Sequence, residues 1–407
     1  MTLFIFVTSF ISIATPSRAE EVTLKLVMTS YQLEMRDYYD NIIQRFETEN
    51  PGIKVNIELV TPAEIGQRVK TLIETGQSPD IVNSGDYATE AAAGLLYRAD
   101  KIVDSSVLKD FFPALIDNSK YKGTAYAIPD LVSTRSFAWN KTMLSGAKVK
   151  KAPTTWPEML SAAKAIRKAY PDRYAYCLPL GPEEAQMILT TWGGVNGGRL
   201  FDFKLNRYTI NTKEFKEALD FLKNLVDRKL TQPNPGETNR SDGCWARFAK
   251  GEVAMVDGSV SFPDWLAKNG GENIDFAQGP FPHATGKKSI TVGMHGYFKG
   301  YKANGHQPEI QKFLTFLFEP TNYQSFLKAA GTFNPAIKSV GALLDNDPRL
   351  GSFSKQSSSM IFYPDTVNSW PSCKSVIVTY MRNAMANTAK ALFNIQARCD
   401  AFQTKSR

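Results

Sequence analysis

The side chains of this 407-residue chain best placed to do chemistry stand just after predicted strands. Ser84-Gly85-Asp86-Tyr87 follows the apolar pair Ile81-Val82. A carboxylate such as Asp86 can accept charge-assisted bonds from two adjacent ligand hydroxyls, which fixes the ligand's orientation. It can equally cap the helix predicted over Ala88–Leu96, and both roles stay open. Tyr31, Gln32 and Glu34 follow the first predicted strand with the same two roles. Asp130, Ser133, Thr134 and Arg135 come after Pro129. Arg135 can donate to hydroxyls or to an acidic group, or close a salt bridge. Thr190–Phe201, TTWGGVNGGRLF, sets Trp192 and Asn196 among glycines. An aromatic face packs against the C–H face of a polyhydroxy ring while polar groups read its rim. Trp192 is therefore a candidate platform, with core packing as the alternative. Further candidates are Trp245 beside Arg240, Asp257 and Ser259 after the strand Val253–Val256, His295 with Tyr297, and Trp370 with Tyr363.

Other chemistries lack their residues. There is no GxSxG elbow and no HExxH. With three His and no CxxC spacing, zinc has no ligand set. Gly193-Gly194 and Gly197-Gly198 are not followed by Lys-Ser/Thr, and Gly286-Lys287-Lys288-Ser289 lacks its upstream glycine, so neither forms a phosphate loop. No cofactor is implied. Forty acidic residues leave room for a carboxylate pair ~5–10 Å apart, as glycoside hydrolysis needs. The net charge of +8 is spread along the chain without a nucleic-acid signature, which argues a solvated surface. With 43% apolar and 22% charged residues the composition is that of a globular protein, long enough for two lobes.

The elements that must position these residues follow from periodicity. Val22–Met28 alternates as a strand, and Met35, Tyr38, Tyr39, Ile42, Ile43 and Phe46 recur on one helical face. Asn50-Pro51-Gly52 stops that helix. Val55, Ile57 and Leu59 alternate in a second strand; Ile65, Val69, Leu72 and Ile73 mark a helix; Pro79-Asp80-Ile81-Val82 is the third strand. This β-α-β-α-β order predicts a parallel sheet flanked by helices. Thr155 and Glu158 form a capping box, and Thr321 with Gln324 is expected to cap a later helix that Gly331 ends. Leu3–Ile13 is apolar but short for a membrane span. With Pro16-Ser17-Arg18-Ala19 behind it, Met1–Ala19 reads as a secretory signal peptide without a lipid-anchoring Cys. Four cysteines allow three complete pairings. Cys373 with Cys399 is favoured if a break near Asn387 folds a helical hairpin, and Cys177 with Cys244 is the companion pair.

Several segments resemble the extracellular (periplasmic) solute-binding proteins of carbohydrate ABC transporters, family 1, maltose-binding-protein-like. Phe46, Pro51, Gly52, Ile53 and Val55 match "F-x-x-x-x-P-G-I-x-V"; Gly76, Pro79, Asp80 and Ile81 match "G-x-x-P-D-I". Tyr121–Leu144 is similar to the family's first interdomain crossing, and Thr154-Thr155-Trp156-Pro157-Glu158 to its "P-x-T-W-x-E". Phe248–Met255 resembles "F-x-x-G-x-A-A-M", and Gly331–Ala336, with Asn334, resembles the "G-x-x-P" turn. The matches run from about Phe46 to Ala336. The resemblance implies an α/β fold of two lobes (type II) with a ligand cleft and three crossings, near 130, 280 and 319. Residues 20–130 and 281–318 would form the N-terminal lobe; 131–280 and 319–407 would form the other. It implies a monomeric, periplasmic, non-enzymatic component that captures a sugar or polyol by hinge closure and delivers it to ABC permease transmembrane subunits. It also implies a ligand-contact residue in the Asp86 loop, a Gly-rich approach at 293–297 and a stacking aromatic near Trp370. Alternatives are a glycerol phosphate or sugar acid ligand, or a secreted carbohydrate-active enzyme.

Overall fold

The computed structural model describes residues 21–344, except Ala63, His295 and Thr332, and residues 360–405. The expected leader Met1–Ala19 lies outside the described residues. The strands of the two large sheets are, in chain order, β1 (Val22–Thr29), β2 (Ile53–Val60), β3 (Ile81–Ser84), β4 (Ile128–Pro129), β5 (Ser133–Asn140), β6 (Tyr174–Tyr176), β7 (Val253–Ser259), β8 (Phe276–Gly279), β9 (Thr291–Met294), β10 (Tyr297–Gly300) and β11 (Met360–Phe362). The first sheet has the order β2-β1-β3-β10-β4; the second has β11-β9-β5-β7-β6, with β8 also on β5.

The β-α-β-α-β start builds the first sheet. β1 pairs in parallel with β2, from Val22↔Ile53 to Thr29↔Val60, and with β3. The intervening helix Met35–Glu49 buries Met35, Tyr38, Tyr39, Ile42 and Phe46, a stripe at helical spacing laid on the sheet. Gly52, at φ 100°, supplies the left-handed turn between that helix and β2. Leu24, Leu26, Met28, Phe298, Phe313 and Phe326 complete this core.

A second core gathers Phe137, Met159, Tyr176, Trp192, Phe215 and Trp370. β5 is buried at all but one of its positions because helices and neighbouring strands cover both faces. Thr155 and Glu158 close the capping box of helix Trp156–Ala169. Helices Trp370–Met381 and Thr388–Lys405 form a hairpin carrying the Cys373–Cys399 disulfide, and Cys177 is bonded to Cys244. Among the described residues no helix is long and apolar enough to cross a membrane.

The crossings differ from expectation at two of three places. The chain leaves the first sheet between Pro129 and Ser133, but it returns between Met294 and Tyr297, not near 280. β8 still pairs with β5, and Phe281, Ala284 and Val292 lie in the second core. Gly279-Pro280-Phe281-Pro282 thus stays within the second lobe. Nor does the chain leave the first lobe at 319. Helix Pro320–Ala330 places Tyr323, Phe326, Leu327 and Ala330, spaced as one face, into the first core. Asn334 then bridges Val132, and Ile337 bridges Phe111. Thr321 is not a cap: Glu319 holds that position, and Pro320 opens the first turn.

Candidate functional site

The strand ends that point toward the crossings set the site. In the first sheet, β1 and β3 end at Thr29 and Ser84, and antiparallel β10 begins beside Ser84 at Tyr297. In the second sheet, β7 ends at Ser259 opposite Arg135 of β5, and β11 runs out into Tyr363. Ligands of open α/β sheets bind beyond such ends.

Asp130 is the pin of the first crossing. Its Oδ2 accepts from Tyr31 Oη at 2.6 Å and Asn83 Nδ2 at 2.7 Å; Oδ1 accepts from the Leu131 amide at 2.6 Å. Tyr323 donates to its carbonyl at 2.6 Å. Burial pushes the Asp130 carboxyl upward against these donors, which favour the charged form. Gly296 is needed here, because a Cβ would sit 2.6 Å from Asp130 Oδ2 and 2.7 Å from Tyr31 Oη. Asp130 is fully buried and bonded, so its carboxylate supports the crossing and holds Tyr31 and Asn83 in place.

Asp86 is available. The short helix Ala88–Ala92 is preceded by Tyr87 at the cap position with no side-chain cap, so the Asp86 carboxylate is not spent on capping. Its backbone carbonyl accepts from Lys299 Nζ at 2.5 Å, which holds the loop, and the side chain is exposed. Glu34 is also exposed and lies 4.0 Å from Lys268 of the second lobe. Tyr87 and Tyr297 are buried edge to face at 4.8 Å; both hydroxyls donate to the Asn118 carbonyl. His295 lies outside the described residues.

On the second lobe, a buried charge network replaces the expected aromatic platform. Arg135 Nη2 meets Glu184 Oε1 at 2.6 Å, and Nη1 donates to Ser133 Oγ at 3.0 Å. Its ion pair lies within the lobe, not between lobes. Arg240 reaches Glu183 at 3.3 Å and Glu184 at 3.4 Å while stacking 4.3 Å over Trp245. Among the described residues, the atoms of this network buried without a hydrogen-bond partner include Glu184 Oε2, Gln186 Oε1, Tyr363 Oη and the donor Arg240 Nε. The Gln186 amide faces the Tyr363 hydroxyl, and Glu184, Arg135 and Asp365 all act on that hydroxyl electrostatically.

Several expected contacts turn out to be structural. Trp192 belongs to helix Ala185–Gly194, not to a flexible turn, and is fully enclosed by Trp156, Tyr176, Phe221 and Phe281. Asn196 ties down the next helix through Glu214 O and Glu217 Oε2 at 3.0 and 2.9 Å. Asp257 and Ser259 lie inside β7, which runs three residues beyond the predicted end. Asp257 accepts from Tyr176 at 2.8 Å, and burial pushes its carboxyl up to about 7. Trp245 donates to the Asp257 carbonyl at 2.8 Å; Ser259 pairs with Ser261 at 2.9 Å. Asn334 donates to Thr134 Oγ1 at 3.0 Å, supporting the crossing. Trp370 is buried against Tyr363, ring centres 5.2 Å apart.

Sequence reasoning passed over Glu183, Glu184, Gln186, Asn118 and Asp365. The available signal was Gly181-Pro182, a turn after the strand Tyr174–Tyr176, which puts two glutamates beyond a strand end. The lobes meet directly here: Asp365 Oδ2 accepts from Asn118 Nδ2 at 3.4 Å and Tyr297 Oη at 3.5 Å, and Thr89 donates to the Asn368 carbonyl at 3.2 Å.

Two α/β lobes linked by crossing strands, with polar strand ends facing each other, define the class of two-lobed solute-binding proteins. Residues 41–350 match the model of the bacterial extracellular solute-binding protein family, and the chain belongs to that family. It is 23% identical over 339 residues to a multiple sugar-binding protein of Streptococcus mutans, covering 80% of this chain and 78% of that protein. It is 26% identical over 251 residues to a mannitol-binding protein of Pseudomonas aeruginosa, covering 60% and 56%. Among solved structures it is similar to an ABC transporter solute-binding protein from Thermotoga lettingae bound with alpha-D-tagatose. That match has a TM-score of 0.80 at 19% identity and covers 94% of this chain and 100% of the other.

Proposed function

We propose that this chain is the exported, monomeric binding component of an ABC importer, taking up a small polyhydroxy solute, a sugar or polyol, and returning it chemically unchanged to membrane permease subunits. The supporting observation is the set of buried, unpartnered polar atoms on Glu184, Gln186, Tyr363 and Arg240 near the second-lobe strand ends. A buried polar atom without a partner costs roughly 1–3 kcal/mol, and ligand hydroxyls would remove that cost. The multiple-sugar, mannitol and tagatose proteins similar to this chain fit such a ligand. Closure would follow from ligand contacts made to both lobes at once, which the open form cannot make.

The test is a thermal-shift screen of the protein against sugars and polyols, with the ligand analysed afterwards. At ~100 times its dissociation constant a ligand stabilises the fold by about 2.7 kcal/mol. A shift with the compound recovered intact is expected. A compound consumed would mean an enzyme, and no shift with any sugar or polyol would remove the polyhydroxy assignment.

A further inference from the structure

We infer that the Cys177–Cys244 disulfide and the π-helical turn it closes, Arg240–Trp245, form the device that positions Arg240 for the ligand, so that opening the bridge moves the guanidinium and weakens binding. This rests on the binding-protein reading above and adds to it the parts that hold the second-lobe network in place.

The turn does not have the period of an ordinary helix. π-helical turns close through hydrogen bonds five residues apart, are rare, and are frequent at functional sites. Here the Cys244 amide donates to the Asn239 carbonyl at 3.0 Å, and an α-helix takes over at Ala246. In an α-helix, residues five apart point about 140° away from each other. In the wider turn they lie on one side, and the Arg240 guanidinium sits 4.3 Å from the centre of the Trp245 ring. The π register thus lets one cation rest on that ring while reaching Glu183 and Glu184 at 3.3 and 3.4 Å. Its Nε, buried without a hydrogen-bond partner, is the donor this arrangement offers to a ligand oxygen.

Two anchors hold the turn against β7. At one, Trp245 donates to the Asp257 carbonyl at 2.8 Å and packs on Phe262 and Trp265. The other is the disulfide. Cys177 follows β6, its amide donates to the Met255 carbonyl at 3.0 Å, and its sulfur is bonded to Cys244. Both cysteines are buried. The segment after Cys177 then runs alongside the turn. The Gly181 amide donates to the Thr238 carbonyl at 2.9 Å, and a Cβ on Gly181 would come 2.5 Å from Asn239 Oδ1. Glu183 accepts from the Ser241 amide and hydroxyl, each at 3.0 Å. The two cysteines are 67 residues apart in sequence, so the bridge fixes the register between the segment that carries the glutamates and the one that carries Arg240.

The Trp245 indole reports this geometry directly, because its N–H is bonded and a cation lies on its ring. Nuclear magnetic resonance of the six indole N–H groups, with the Trp245 signal assigned through Trp245→Phe, is the test. Cys177→Ala with Cys244→Ala opens the bridge. Deletion of Asp242, an exposed residue of the turn, takes the turn to the α register and leaves all four cysteines in place. Arg240→Met marks where the signal goes when the cation is lost. Cys373→Ser with Cys399→Ser, which opens the bridge of the C-terminal hairpin, is the control. The bridge-opened and shortened chains are expected to move the Trp245 signal as Arg240→Met does, and the control to leave it in place. Isothermal titration with D-mannitol, D-tagatose and maltose follows. Those three variants should bind whichever compound the wild type takes at least about tenfold more weakly, and the control should stay within about threefold of the wild type.

A Trp245 signal that stays in place when the bridge is opened would overturn the inference, whether or not a ligand is found. So would a moved signal with unchanged affinity, since the bridge would then shape the turn without serving the ligand. Failure of both the bridge-opened and the shortened chains to fold would mark a structural role and overturn it as well. Silence of the wild type toward all three compounds would remove the polyhydroxy reading, and the ligand half of the inference with it, while the indole signal would still decide what positions Arg240.

Discussion

The difference between a ligand contact and its support is decided at single atoms. Asp86 and Asp130 are both carboxylates after first-sheet strands, yet Asp130 takes three donors and Asp86 has an exposed, uncapped side chain. Asp86→Asn is therefore expected to weaken the ligand by about tenfold or more, the value of a hydrogen bond to a charged group, with a melting temperature equal to the wild type's or higher, because the repulsion of Asp365 is removed with the charge. Calorimetry and a melt on one preparation check both halves. Trp192→Ala behaves in the opposite way. Its ring is enclosed by four aromatic neighbours, so truncation should cost about 3–5 kcal/mol of stability, read as a lower denaturant midpoint. Loss of affinity with unchanged stability would put Trp192 back in the binding site.

At the scale of elements, two devices fix the second lobe. Helix Ala185–Gly194 lies against Lys213–Asp227 so closely that a Cβ on Gly193 would come 2.2 Å from the Phe215 ring. The glycine pair that suggests a flexible loop is a packing notch. Gly193→Ala should destabilise by about 1–3 kcal/mol through overpacking, measured by chemical denaturation. Because Glu184 and Gln186 flank the start of this helix, the same substitution should also lower affinity. The C-terminal hairpin is held by Cys373–Cys399, 26 residues apart in sequence. Replacing both with Ser should cost about 3 kcal/mol, as closing a loop of this length constrains the unfolded chain. The reduced wild type should fall further, because Cys177–Cys244 opens as well; an unchanged midpoint in the double variant would mean that the hairpin packing suffices alone.

For the whole molecule, burial of carboxylates makes stability depend on pH. Burial pushes Asp257 up to about 7; burial, with Asp86 as a second cause, does the same for Asp365. Both values lie above the unfolded value of about 3.9. The folded state then binds more protons than the unfolded state between about pH 4 and 7. The contribution of these groups is full below pH 4 and is lost as pH rises through 7. Asp365→Asn keeps an acceptor for Asn118 and Tyr297 but removes the repulsion from Asp86. It should flatten part of this slope and, in small-angle scattering at pH 8, favour the compact closed form. An identical pH profile in the variant would show that Asp365 takes no part.

The sequence by itself determined much of this protein. Alternation in Val22–Met28 and Val55–Leu59, the stripe Met35–Phe46, the stop at Asn50-Pro51-Gly52 and the Thr155–Glu158 box are local, so the first sheet, its flanking helix and the resemblance to a binding-protein family were legible in order and spacing. The strand end that presents Asp86 was legible as well, because a strand end is a local signal. Only the tertiary structure decided the rest. That Trp192 is core and that Tyr363 lies near Glu184 and Asp365 depends on partners far away in sequence: Trp156 and Phe281 in one case, those two carboxylates in the other. The helix Pro320–Ala330 has an apolar face that would suit either core, and only the bonds from Tyr323 and Asn334 to the first crossing assign it. Helical and strand periods say which face is buried; they carry no information about which buried face it meets, and a cleft is made of such meetings.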